Sequence, residues 1–183
     1  MIHVMGERGY ARASVASVAQ HAGLTTGLLH YHFKSKEEIL LAVIDRLGDV
    51  VQARFESRLA EAETALEQLR AFLDAHLEMG PDANPAAVAC WVALGTEALA
   101  RGPVFEAYGR FMQAHHRALT ELAEQVLREA GRPPERAPLI ASALLAAIEG
   151  TLRLAVIAPG VIVEGTAAGL LRDMASGLFE GGS

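Results

Sequence analysis

Eight consecutive residues from Thr25 to His32 carry three hydroxyl-bearing side chains and two imidazoles, with one glycine among them. If Leu29 turns inward on a short helix, then Thr25, Thr26, Gly27, Leu28, His30, Tyr31 and His32 supply most of its outward surface. Hydroxyls and imidazoles both donate and accept hydrogen bonds, and a face this dense in them exceeds what packing requires. The patterns of catalysis are missing from the sequence: no His-Glu-x-x-His, no Glu-x-x-His pair for a di-iron bundle, no Gly-x-Ser-x-Gly and no glycine-rich phosphate loop. The chain is therefore expected not to be an enzyme but to act by binding, with no cofactor and no metal.

A second set of chemistry-bearing residues lies further along. Trp91 stands near Cys90 and Leu94, and Phe105, Tyr108, Phe111 and Met112 follow at helical spacing. Each is core in the simplest reading, and together they are the candidate lining of an apolar ligand pocket. His115 interrupts the same stripe, as either a satisfied core histidine or a polar group that orients a ligand. Glu149 and Arg153 are four residues apart on an otherwise apolar helix, and are either an i,i+4 pair or ligand-facing.

The elements that must hold these groups are readable from caps and periodicity. Met1 to Gly9 reads as the end of a helix, and Ser14 caps a second one with Val15, Val18, Ala19 and Ala22 on one face. Gly23 permits a left-handed turn, Thr25 caps the next helix, and Leu24 with Leu29 has the spacing of a hydrophobic staple. Ser35 and Glu38 form a capping box at the head of a long helix reaching the neighbourhood of Leu59. Further helices are expected over 65–79, 85–100, 104–130, 139–158 and 166–178, with Gly102-Pro103, Gly131 with Pro133-Pro134, and Pro159-Gly160 as breaks.

Composition agrees with helices packed on helices: 51% of the 183 residues are hydrophobic, aromatics are only 5%, and alanine and leucine fill the long stretches. The fold is expected to be all-α with about nine helices. Cys90 is the single cysteine, which excludes an internal disulfide framework and points to a reducing cytoplasm. No membrane span is expected, because the most apolar run, Leu139 to Ile148, falls short of the roughly 20 residues a bilayer needs. The net charge of −6 is unevenly spread: residues 1–36 hold four basic side chains against Glu7 alone, so the rest carries −9. A basic tip on an acidic body presents one end to a polyanion and withholds the other.

The string from Ser14 to Glu38, with its capped helix, Ala22-Gly23 turn, Gly27, aromatic cluster ending at Phe33 and Lys34-Ser35-Lys36 entry to the next helix, resembles the DNA-binding signature of the TetR family of transcriptional repressors. The resemblance implies a helix-turn-helix DNA-binding domain over residues 1–48, with a shortened first helix, and a helical ligand-binding and dimerisation domain over 49–183. It further implies that Thr25–His32 lies in the major groove, that a homodimer formed through the last two helices binds a near-palindromic operator, and that a small-molecule effector releases it. Within that frame Ser14, Thr25, Tyr31 and Lys36 suit phosphates, while Thr26, Gly27, Leu28 and His30 suit base edges. His30 and Tyr31 stand where family members often have tyrosine and histidine. The competing reading is a helical small-molecule-binding or enzymatic bundle that has lost DNA binding.

Overall fold

The computed structural model describes residues 1–77, 84–100 and 102–180. Among these, the chain forms nine α-helices and no strand: α1 (Ile2–Arg8), α2 (Val15–His21), α3 (Thr26–His32), α4 (Lys36–Leu59), α5 (Ala65–Leu77), α6 (Pro85–Ala98), α7 (Pro103–Glu129), α8 (Ala137–Ile157) and α9 (Ala167–Glu180). The expected all-α architecture with a helix-turn-helix head is the observed one. Met79 and the breaker stretch 80–83 lie outside the described residues.

Contacts gather the chain into two compact units, Met1–Asp49 with Ala83–Phe111, and Val50–Asp82 with Met112–Ser183. In the first unit Val4, Met5, Val18, Ala19, Leu29, Ile39, Leu40, Val43 and Ile44 are buried. These come from the apolar faces of α1 to α4, so one small core fixes the four helices together. Helix α6 packs on α1, and the approach depends on Gly6: a Cβ there would fall 2.3 Å from the Ala86 carbonyl oxygen.

The second unit has a larger core in which Leu69, Leu73, Leu119, Ala123, Leu144, Ile148 and Ala175 are fully enclosed. Burying each of the leucines and the isoleucine contributes about 1.5–3 kcal/mol, so this cluster dominates the unit's stability. Polar ties hold its rim. Arg172 pairs with Asp74 at 2.8 Å, Arg70 donates to Ser176 Oγ at 3.1 Å, and the Arg132 guanidinium donates to the carbonyls of Phe179 and Glu180. His116 lies 3.2 Å from the Pro138 carbonyl and 3.0 Å from Ser142 Oγ. It therefore ties α7 to α8.

Helix α8 is longer than the apolar run seen in the sequence. Together with the 3-10 turn before it, Pro134–Ile157 is long and apolar enough, by length and composition alone, to cross a membrane. Ala137, Ile140, Ala141, Leu144 and Ile148 are buried within the unit, while Leu139, Leu154 and Ile157 on the same helix stay exposed. On α9, Leu170 and Met174 are exposed as well.

Candidate nucleic-acid interface

Each turn of the head is fixed by a short-range polar contact. Ser14 Oγ accepts from the Ser17 amide at 3.1 Å and opens α2. After His21 the chain reverses through Gly23 at φ +67°, a left-handed conformation that favours glycine, and the Leu24 amide returns to the Ala19 carbonyl at 2.9 Å. Thr25 Oγ1 then accepts from the Leu28 amide at 3.2 Å and sets the start of α3.

In α3 only Leu29 is buried; Thr26, Gly27, Leu28, His30, Tyr31 and His32 all face outward, with Tyr31 83% exposed. Leu24, expected to staple against Leu29, is itself 42% exposed, so Leu29 does more of the anchoring. The next entry is a capping box with a shifted return. Ser35 Oγ accepts from the Glu38 amide at 3.1 Å, while the Glu38 carboxylate accepts from the Lys34 amide at 2.6 Å rather than from Ser35.

Lys36 has a partner within the protein. Its Nζ donates to the Tyr10 carbonyl at 2.6 Å and sits 3.5 Å from the centre of the Tyr10 ring. Desolvation lowers the Lys36 pKa and raises that of the Tyr10 phenol, with Glu97 acting on both. One N–H of the ammonium is thereby committed to holding the 3-10 turn Tyr10–Arg12 against α4.

The candidate ligand-lining residues fall into separate groups. In the first unit Trp91 stacks on Tyr108 at 4.7 Å and tilts against Phe111 at 4.7 Å. Gly95 admits the Tyr108 hydroxyl, which would lie 3.1 Å from a Cβ there. Phe105 is 46% exposed on the outside of α7. In the second unit Met112 and Glu149 are half-buried. His115 meets Phe72 at 5.7 Å and His76 at 5.1 Å, edge to face in both cases, and Phe55 meets Phe72 from α4. His76 and Phe55 were not singled out from the sequence. The available signal was the position of His76 four residues after Phe72 on the apolar face of α5.

Residues 2–43 match the family described as bacterial regulatory proteins, tetR family, and residues 65–180 match the C-terminal domain of the BetI-type transcriptional repressor. A fatty acid metabolism regulator protein of Bacillus subtilis is 30% identical over 43% of this chain and 40% of its own length. The transcriptional regulator BetI of Paraburkholderia phytofirmans is 30% identical over 56% of this chain and 53% of its own. The chain thus spans about half the length of the curated relatives it matches. Among solved structures, a transcriptional regulator from Rhodococcus sp. Rha1 superposes with a TM-score of 0.81 at 23% identity, covering 98% of this chain and 92% of that one.

Proposed function

Because the chain belongs to the tetR family of bacterial regulatory proteins, we propose that it is a cytoplasmic, ligand-responsive repressor that binds a near-palindromic DNA operator as a homodimer. Residues 1–48 serve as the DNA-binding part. Thr26, Gly27, Leu28 and His30 meet base edges; Ser14, Thr25, Tyr31 and His32 meet the backbone. Lys36 supports them by clamping Tyr10 and keeps its remaining N–H groups for phosphate.

The single observation that carries this reading is α3 itself: seven residues long, held from behind by Leu29, and otherwise exposed and rich in hydrogen-bonding groups. An isolated helix this short is unstable in water, so its position depends on the caps and the core beneath. That is an expensive way to display polar groups unless they meet a partner. The competing reading, a bundle without DNA binding, leaves this face without a purpose.

The dimer is proposed to form through α8 and α9. Leu139, Leu154, Ile157, Leu170 and Met174 are exposed on them, and Ala143, Ala146 and Gly150 would let a second copy approach closely. The effector is proposed to be a small, mostly apolar molecule met by the second unit's aromatic cluster around His115.

Selection of bound fragments from random duplexes tests the reading. The expected outcome is an inverted repeat with half-site centres about ten base pairs, or a multiple of that, apart. Recovery of no enriched sequence at low salt would overturn it.

A further inference from the structure

His76 is a half-buried side chain of the second unit's aromatic cluster whose hydrogen-bonding capacity is half used among the described residues. Its Nδ1 lies 2.8 Å from the Phe72 carbonyl oxygen. A carbonyl can only accept, so Nδ1 carries the proton and the neutral ring presents a lone pair at Nε2. That Nε2 is buried and has no hydrogen-bond partner among the described residues. A buried acceptor left unpaired is costly, and one placed among rings is a demand for a specific donor.

The surroundings define what could supply it. Phe72 lies over the His76 ring with centroids 4.5 Å apart, His115 stands edge-on at 5.1 Å, and Phe55 packs against Phe72. Burial holds His76 in the neutral form, reinforced by the positive charge of Arg54 and by His115. A carboxylate would bring lone pairs against a lone pair. A hydroxyl or N–H on an otherwise apolar body would bring a donor.

We infer that His76 Nε2 is the polar anchor of the effector site, accepting a hydrogen bond from a hydroxyl-bearing, uncharged apolar ligand that displaces the edge of His115. The inference rests on the reading of the second unit as an effector-binding body. It adds the chemical class of the effector, an alcohol or phenol rather than an acid.

The test uses the full chain without DNA and three probes of matched shape: 4-ethylphenol, ethylbenzene and 4-ethylbenzoate. Calorimetry should show 4-ethylphenol binding about tenfold or more tighter than the other two, the cost of leaving the acceptor unpaired. The Nε2 nitrogen resonance of His76 should shift with 4-ethylphenol alone. In His76→Phe, which keeps the ring and loses the acceptor, the preference should disappear while ethylbenzene affinity holds. The resonance experiment needs no variant, so a His76→Phe protein that fails to fold leaves the wild-type comparison decisive. Equal affinity of 4-ethylphenol and ethylbenzene, with the Nε2 resonance unmoved, would overturn the anchor and leave an effector-binding body standing. Failure of all three probes to bind would overturn both. Loss of DNA binding by itself bears on neither measurement.

Discussion

At the scale of single residues, desolvation holds two groups far from their ordinary ionisation. Burial lowers His76 from 6.5 to about 4. A histidine that stays neutral when folded but charges when unfolded contributes stability that is complete above about pH 6.5 and is lost as pH falls toward 4. The loss amounts to roughly 3 kcal/mol over that window. Denaturant titrations at pH 7.5 and 4.5 should therefore differ by about that amount in the wild type and by clearly less in His76→Phe; parallel pH profiles would contradict the burial of the ring. Cys90 is fully enclosed and its thiol is pushed up to about 11 by burial. A disulfide-exchange reagent at pH 8 should modify it far more slowly in the folded protein than in denaturant, because both thiolate fraction and access are low. Reaction at equal rates would show that α6 does not cover it.

At the scale of elements, the head was legible and the contact beneath it was not. Ser14, Gly23, Thr25 and Ser35 each announce a helix boundary through chemistry confined to a few neighbouring residues, and the structure starts α2, α3 and α4 where those residues stand. Gly6 gives no such local signal. In sequence it is a helix-weakening residue, and only the fold shows that it lets α1 lie against Ala86 of α6. In the same way Lys36 reads as a free cation until the 3-10 turn brings the Tyr10 ring beneath it, 26 positions away. His115 offered two readings from sequence, and its edge contact with His76 depends on how α5 and α7 pack. Gly6→Leu should force α1 off α6 and cost on the order of 1–3 kcal/mol, an overpacking penalty. Thermal unfolding checks it, and an unchanged midpoint would contradict the close approach.

At the scale of the whole molecule, the claims concern assembly and DNA. Leu144 is fully enclosed in the core of its own unit, so Leu144→Glu should unfold the protein by burying a charge. The exposed Leu154 and Leu170 are the seam candidates. Leu154→Glu with Leu170→Glu should convert dimer to monomer in sedimentation while far-ultraviolet dichroism stays native; an intact dimer would remove α8 and α9 from the interface.

The central claim is that the outward face of α3 reads duplex DNA. It is tested most directly by fluorescence anisotropy of the protein with a selected duplex, titrated across salt concentrations for the wild type and Thr26→Ala. If α3 lies in the groove, the log of the affinity falls linearly with the log of salt, with a slope near −0.9 for each phosphate neutralised, and Thr26→Ala keeps that slope while losing preference for the selected sequence. A flat salt response, or a Thr26→Ala protein with unchanged preference at every base pair, would contradict it.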